Sequence, residues 1–186
     1  WAERVYVNSF LLPLTDRWGD QVQKLDVWKC TQLRPQRSFF DAYVQPYRDK
    51  GQKVFVIVSD ALRYEAAVDF AEQLRAANRW TAEVDAMFGA LPTYTQLGMA
   101  SLLPGGQWSV DPTNATVEVD GKSATGTENR EKILNGRCGG RAAALTAEDF
   151  LSMNTKTAGR ELMRDHDVIY IFHNHIDKVG DTLATE

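Results

Sequence analysis

Two short apolar runs, each followed directly by polar residues, dominate the hydrophobic pattern of this chain. The first covers residues 54–58 and leads into Ser59 and Asp60, and the second covers residues 168–172 and leads into residues 173–177. Apolar runs of this length, rich in β-branched residues, predict strands that are buried on both faces of a sheet. The helical pattern after the first run makes it the first half of a strand–helix–strand unit.

Helical spacing of apolar residues predicts helices before, between and after these strands. Residues 1–29 follow this spacing, although Pro13 should kink or split the helix. The other predicted helices cover residues 38–50, 61–77, 95–103, 127–134, 147–153 and 155–166. Thr146 and Asp149 have the spacing of a capping box at the start of one of them.

The order of the elements indicates the fold class. Further strands are predicted at residues 79–88 and 141–145, and Asp120-Gly121 predicts a hairpin turn. The alternation of strands and helices predicts an α/β fold with a mostly parallel sheet flanked by helices. Residues 1–50 form a predicted helical preface, and residues 51–186 form the main domain.

Composition and charge narrow the function classes. The chain has 186 residues, 44% of them hydrophobic and 25% charged, which is enough for one folded core. Its net charge of −4 gives no global basic field for nucleic acid, although a local basic patch stays open. No apolar run reaches the length of a membrane span, so no membrane partner is expected. Cys30 and Cys138 lie far apart, which predicts two reduced thiols in a cytoplasmic protein.

The candidate chemistry lies at the ends of the two apolar runs. Because the carboxyl ends of parallel strands meet at one edge of a sheet, Asp60 and residues 173–177 should face the same crevice. A third polar cluster, residues 92–95, opens a predicted helix, where free N–H groups favour phosphate. Carboxylates and imidazoles at one edge can hold a divalent metal, which activates a hydroxyl and offsets phosphate charge. The sequence therefore predicts a site for metal-assisted phosphoryl transfer or hydrolysis.

Each candidate residue also has a purely structural interpretation. Asp60 would cap the helix that follows it, and Thr93 and Thr95 would cap theirs. His173 and His175 would share a face on a strand, but at a strand end one of such a pair often points to solvent and bonds to the backbone. The remaining candidates would begin a helix or lie solvated in salt bridges: Asp177, Asp181 and Arg63.

Four sequence strings carry a resemblance to a known family. They are SDALRYE at 59–65, LPTYTQLGMASLLP at 91–104, VDG at 119–121 and YIFHNHIDKVGD at 170–181. In this order and spacing they closely resemble the PglZ family, which belongs to the alkaline phosphatase superfamily. The resemblance implies an alkaline-phosphatase-like core, with residues 51–186 as the N-terminal part of a PglZ domain. PglZ proteins of this type work in BREX bacteriophage defence beside a DNA methyltransferase, ATPases and a small accessory subunit.

The resemblance also implies a set of site residues. The superfamily uses two metal ions, typically zinc, and a Thr or Ser nucleophile. On this pattern Thr95 is the nucleophile and a ligand of one metal, and Asp60 and Asp177 are further metal ligands. Asp181 stands where a related branch has His, and a carboxylate there would also suit manganese or magnesium.

The other matching residues have supporting roles in this resemblance. His173 and Asn174 are implied as metal ligands, as groups that orient the metal ligands or as substrate contacts. His175 and Arg63 are implied as orienting groups or substrate contacts. The remaining ligands of the superfamily come after this motif, and the chain starts at Trp1 rather than Met. We therefore expect a piece of a longer polypeptide that by itself binds metal weakly or not at all and has little activity.

Three functions are consistent with these residues. The first is a metal-dependent phosphoesterase, of the phosphodiesterase or nuclease type, whose substrate is a phosphoester such as DNA or a nucleotide. The second is a non-catalytic scaffold that binds partner proteins of the defence complex. The third is a hydrolase of a nucleotide signal. Retention of Thr95, Asp60 and Asp177 favours enzyme ancestry over a scaffold.

Overall fold

The computed structural model describes residues 1–182, which fall into two compact units. The first unit is Trp1–Gln32 and the second is Leu33–Glu186. The division of the chain into a preface and a main domain at residue 50 stays a prediction.

The first unit contains one run of helix with a widened turn, which ends at Gln23, before the predicted residue 29. Helix α1 (Ala2–Tyr6) passes through a π-helical turn (Val7–Leu11) into helix α2 (Leu12–Gln23). Pro13 lies in the first turn of α2, and the Leu12 N–H donates to the Val7 carbonyl across the widened turn. Proline cannot donate to the preceding turn and its ring crowds that turn, so the widening lets the helix continue. The helix therefore does not split at Pro13.

The second unit also begins with a π-helical turn that precedes a proline. A 3-10 turn (Gln36–Ser38) and a π-helical turn (Phe40–Val44) precede helix α3 (Gln45–Arg48). Pro46 lies in the first turn of α3, and the Gln45 N–H donates to the Phe40 carbonyl. The helix predicted at 38–50 is therefore present as three short helical pieces.

A parallel sheet of three strands forms the centre of the second unit within the described residues. Its strands are β1 (Val54–Ser59), β5 (Ala142–Thr146) and β6 (Val168–His173), in the order β1-β6-β5. Both neighbouring pairs are parallel. Helices flank this sheet, which confirms the predicted α/β fold with a mostly parallel sheet.

The two faces of the sheet pack into two apolar clusters, because alternate side chains of a strand point to opposite faces. Val56 and Tyr170 belong to the larger cluster, which also contains Phe40, Leu103 and Leu134. Ile169 and Ile171 belong to the smaller cluster, which also contains Leu145 and Leu162. Strand β6 is thus buried on both faces, as predicted.

Strand β1 differs from the prediction that it is buried on both faces. Phe55 is 39% exposed and Ile57 is 67% exposed. They lie opposite Ile169 and Ile171 in the register, so they belong to the same sheet face as the smaller cluster. Strand β1 lies at the edge of the described sheet, and the apolar residues of that cluster cover β5 and β6 only.

The remaining helices surround this sheet. They are α4 (Tyr64–Ala76), α5 (Thr95–Ala100), α6 (Gly126–Cys138), α7 (Ala147–Ser152), α8 (Ala158–Asp165) and α9 (His175–Gly180). Helix α4 begins later than predicted, because Ala61 has a positive φ of +58° and Arg63 is extended. Helix α6 extends beyond the predicted residue 134 and ends at Gly139, which adopts the left-handed conformation. None of the helices in residues 1–182 has both the length and the apolar character needed to span a membrane.

A small antiparallel sheet contains the predicted hairpin. Its strands are β2 (Trp108–Val110), β3 (Val117–Val119) and β4 (Lys122–Ser123). Asp120 and Gly121 connect β3 to β4 with φ values of +49° and +73°. Positive φ at both central residues is typical of a type I′ turn, so this prediction is confirmed.

The strand predicted at residues 79–88 is wrong. The segment has no regular structure and makes a single bridge, between Phe88 and Pro35. Its alternating pattern is present, but alternation produces a strand only where a neighbouring strand accepts its backbone hydrogen bonds. Within the described residues that partner exists only at Phe88, and Trp80 is 64% exposed.

Candidate active site

The candidate site lies where β1 and β6 end. Ser59 and His173 are opposite each other in the register, and Ser59 Oγ lies 3.0 Å from His173 Nδ1. The Asp60 N–H donates to the His173 carbonyl at 2.9 Å, which extends the pairing by one residue. The parallel register thus places both polar clusters at one edge of the sheet, as the sequence predicts.

Asp60 does not cap the helix that follows it. Arg63 is the N-cap of α4, and no side chain bonds to the helix there. One carboxylate oxygen of Asp60, Oδ1, accepts from the Ala61 N–H at 3.1 Å. The other, Oδ2, is buried without a hydrogen-bond partner among the described residues. A buried carboxylate oxygen without a partner costs folding free energy, so it needs a partner from outside the chain, either water or a cation.

Asp177 lies within electrostatic reach of Asp60, and Asp181 lies within electrostatic reach of Asp177. Asp177 is half-buried in the first turn of α9, and Asp181 follows the helix one turn later. Burial raises the pKa of Asp177, and the negative charges of Asp60 and Asp181 raise it further. Asp177 thus lies in the first turn of a helix, which agrees with the alternative that it only begins a helix. Asp181 lies at the end of that helix.

The two histidines lie side by side. Their ring centroids are 6.3 Å apart, and the hydrogen bond to Ser59 fixes one ring nitrogen of His173. His175 and Asn174 are exposed at the start of α9, where Asn174 is the N-cap without a side-chain hydrogen bond. Arg63 is exposed at the start of α4.

Thr95 is the first residue of α5 and is exposed to solvent. Tyr94 is the N-cap, and no side chain caps this helix, so neither Thr93 nor Thr95 has the capping role of the structural interpretation. Leu97 is buried in the core and anchors the short helix from the other side. Thr95 therefore lies on a backbone that is fixed by the core, and its hydroxyl does not cap the helix.

Arg130 is a site residue that the sequence interpretation missed. Its side chain is 5% exposed, and its Nε donates to the Ala124 carbonyl at 2.9 Å. Its Nη2 donates to Gln96 Oε1 at 3.3 Å, and its guanidinium carbon lies 4.4 Å from the centroid of the Phe172 ring. Burial lowers the pKa of Arg130, and the charge of Asp60 acts in the opposite direction.

A signal for Arg130 does exist in the sequence. Arg130 precedes the buried residues Ile133 and Leu134 by three and four positions, so it lies on the apolar face of α6. A charged residue on such a face is rarely buried without a specific partner. The pattern alone does not name the partner, because Gln96 is 34 residues away in the chain.

The described residues fit a divalent metal ion in part. Asp60 offers a buried carboxylate oxygen without a partner, and Asp177 lies near it. Oxygen donors of this kind suit zinc, manganese and magnesium. However, no three or more His, Cys, Asp or Glu side chains in residues 1–182 form an arrangement that could hold a metal ion. A complete coordination sphere therefore needs donors beyond these.

A pocket of about 450 Å³ lies elsewhere in the second unit. Its lining includes Asp41, Gly106, Asp120, Lys122 and Arg137. Asp120 accepts from the Gly106 and Gln107 N–H groups, and Arg137 pairs with Asp41 at 3.5 Å. None of the candidate site residues lines this pocket.

Comparison with known proteins assigns the family. Residues 39–186 match the family described as "BREX system PglZ alkaline phosphatase-like domain". The chain is 40% identical over 192 residues to the "Alkaline phosphatase-like protein BrxZ" of Escherichia coli O9:H4 (strain HS), covering 100% of this chain and 22% of that protein. It is 37% identical over 187 residues to the "Alkaline phosphatase-like protein PglZ" of Bacillus cereus (strain H3081.97), with the same coverage.

These comparisons also show how much of the relatives is represented here. The chain spans about a fifth of the length of the two curated relatives, 22% in each case. No solved structure matches the chain. The match extends over most of the chain, including both sheet strands that end at the candidate site. The chain belongs to the PglZ family of BREX-system alkaline phosphatase-like domains.

Proposed function

We propose that the chain contributes part of the active site of a metal-dependent phosphoesterase, of the phosphodiesterase or nuclease type, that acts in BREX phage defence. The observation that carries this proposal is the buried, unpartnered Oδ2 of Asp60 at the sheet edge where Asp177 and His173 also lie. This arrangement suits a cation, and a cation at such an edge suits a phosphoester.

Thr95 has the features that a nucleophile needs. Its hydroxyl is exposed at the start of a helix that is anchored in the core, and it caps nothing. In the proposed reaction the Thr95 oxygen forms a bond to phosphorus while the bond from phosphorus to the leaving ester oxygen breaks, and the hydroxyl proton passes through solvent to the leaving oxygen. Water then displaces the Thr95 oxygen from phosphorus and restores the hydroxyl. Zinc, manganese or magnesium held by Asp60 and Asp177, with Asp181 as a further donor, would lower the pKa of a hydroxyl and offset phosphate charge.

The neighbouring polar residues have proposed supporting roles. The hydrogen bond between Ser59 and His173 orients the imidazole and leaves its other nitrogen for a ligand. His175, Asn174 and Arg63 are exposed around the same edge and are proposed to contact substrate. The charge of −4 gives no general attraction to DNA, so a DNA substrate would require a local basic patch.

A scaffold function is the second candidate, and one observation favours it. Helix residues Tyr6, Phe10 and Trp18 of the first unit are each more than half exposed, at 56%, 55% and 54%. Exposed aromatic residues at helical spacing are typical of protein contact surfaces. The proposed partners are other BREX proteins, namely the methyltransferase, the ATPase and the small accessory subunit.

The activity can be tested on the full-length protein that contains this chain. With zinc or manganese we expect turnover of bis-p-nitrophenyl phosphate in preference to p-nitrophenyl phosphate. Thr95→Ala should lower this turnover by about a thousandfold or more, because the attacking oxygen is lost. The matched control is Thr93→Ala, an exposed threonine two residues earlier, which should keep the activity.

A phage-protection assay separates the two candidates. If the protein acts as an enzyme, Thr95→Ala abolishes protection and Thr93→Ala does not. If it acts as a scaffold, Thr95→Ala keeps protection, whereas Phe10→Ser, at one of the exposed aromatic residues of the first unit, loses it. Absence of turnover of both substrates by a metal-bound protein would contradict the phosphoesterase proposal.

A further inference from the structure

We propose that Arg130 is a positioning residue for the reaction proposed above: its guanidinium fixes Gln96, and with it the first turn of α5, against the end of β6. This inference rests on the proposed function for its catalytic consequence. The contacts that carry it are independent of that function, because they join residues of three separate elements.

The burial of Arg130 shows that its contacts are specific. Within residues 1–182 it is one of two buried polar or charged side chains, and the other, Ser101, bonds to its own helix. A buried cation is stable only where hydrogen bonds and nearby negative charge replace water. Arg130 has hydrogen bonds to Ala124 and Gln96 and lies within reach of the charge of Asp60.

The planar shape of the guanidinium explains why the residue is an arginine. One edge donates to Ala124 and another to Gln96, while the face lies over the Phe172 ring at 4.4 Å. Lysine carries a compact ammonium and cannot stack its head on a ring while it donates in two fixed directions. Arg130 therefore holds three segments in a defined arrangement.

Two of these three segments, those of Gln96 and Phe172, adjoin the candidate site. Gln96 directly follows Thr95, the proposed nucleophile, and Phe172 directly precedes His173. Phe172 lies opposite Val58, two residues before Asp60, in the parallel register. Arg130 thus connects the helix that presents the hydroxyl to the strand ends that present the carboxylates and the imidazole.

A first experiment measures positioning without any catalytic readout. Hydrogen–deuterium exchange of residues 95–100 is compared in the metal-free, full-length protein and its variants. Arg130→Met should speed amide exchange in this segment about tenfold relative to wild type. Arg130→Lys should speed it nearly as much, because lysine cannot make the same set of contacts. The matched control is Arg137→Met on the same helix, whose exposed side chain pairs with Asp41, and it should leave the segment unchanged.

A second experiment measures the effect on the reaction. Arg130→Met should lower kcat about a hundredfold with KM changed less than about threefold, because a displaced nucleophile loses reactivity while substrate contacts remain. Gln96→Met should reproduce part of this loss, and the double variant should lose less than the two single losses combined.

The outcomes separate this inference from the proposed function. If the wild-type protein hydrolyses no phosphoester but Arg130→Met loosens residues 95–100, the positioning role stands and the proposed function fails. If Arg130→Met folds with unchanged exchange in residues 95–100, or with an unchanged kcat in an active protein, the inference is overturned. If Arg130→Met does not fold, Gln96→Met takes its place: faster exchange of residues 95–100 and a lower kcat support the inference, and no change in either overturns it.

Discussion

Tyr170 connects two distant segments inside the core. It is fully buried in the middle strand, and its hydroxyl donates to the Leu102 carbonyl at 2.8 Å. Burial raises the pKa of this hydroxyl well above its usual range, so it remains a neutral donor. Leu102 follows α5, so the bond holds the helix of Thr95 to strand β6 at its other end.

Tyr170→Phe tests this hydrogen bond. The ring still fills its place, but the Leu102 carbonyl loses its donor, so the free energy of unfolding should fall by about 1–3 kcal/mol. Urea unfolding of the chain measures the change. Tyr64→Phe is the matched control, since Tyr64 is 68% exposed, and it should change stability little. Equal effects of the two changes would contradict the role given to the bond.

Helix α7 shows how local sequence can define an element. The Thr146 side chain accepts from the Asp149 N–H at 3.1 Å, and the two side chains bond to each other at 2.7 Å. This confirms the N-cap half of the capping box that the spacing predicts, while the Asp149 carboxylate accepts from the Thr146 hydroxyl. By contrast, Thr157 is the N-cap of α8 without a side-chain hydrogen bond to the helix.

Thr146→Ala should lower the free energy of unfolding by about 1 kcal/mol, because the cap satisfies a helix N–H group that otherwise has no partner. Thr157→Ala makes the same chemical change at a helix start where no side-chain cap exists, so it should have a smaller effect. Chemical denaturation of the two variants measures the difference. A larger loss for Thr157→Ala would show that the capping bond does not stabilise α7.

Across the whole molecule, the two ends of the parallel sheet carry different charge arrangements. At the carboxyl end, the charge of Asp60 acts on Asp177, and the charges of Asp60 and the buried Arg130 also interact. At the amino end, Asp167 precedes β6 and accepts from Arg141 at 2.6 and 2.9 Å, with Lys53 at 3.7 Å. Direct ion pairs neutralise Asp167 at the amino end, whereas neither Asp60 nor Asp177 forms a salt bridge among the described residues.

The neutralised end predicts an acid-dependent loss of stability. The hydrogen bond from Arg141, together with its charge and that of Lys53, lowers the pKa of Asp167 below its ordinary 3.8. The stabilisation from this carboxylate is therefore present above that ordinary value and is lost as the pH falls through the lower folded-state pKa. The expected effect is small, because these side chains are partly exposed.

Urea unfolding of wild type, Asp167→Asn and Arg141→Gln between about pH 6 and pH 2 tests this prediction. Both variants should be less stable than wild type at the upper end of this range and should lose less stability on acidification. Their double variant should resemble either single variant, because each change removes the same pair. An unchanged acid dependence in Asp167→Asn would contradict the prediction.

Much of the site could be predicted because short motifs indicated it. The apolar run before Asp60 predicted a strand, and the parallel register then placed Asp60 and His173 at the same edge. The sequence could not decide whether Asp60 and Thr95 cap helices or serve the site. Residues that can cap a helix stand at both positions, but the sequence does not show which residue takes the N-cap position. The backbone places the N-caps at Arg63 and Tyr94 instead.

The sequence by itself determined the features that depend on near neighbours: the middle strand, the Asp120-Gly121 turn and the Thr146 cap. Their physical causes act over a few residues, through periodicity, positive φ and local hydrogen bonds. Only the tertiary structure decided that residues 79–88 form no strand and that β1 is open on one face. It also decided that Arg130 reaches Gln96, since pairing and burial depend on partners that lie far away in the chain.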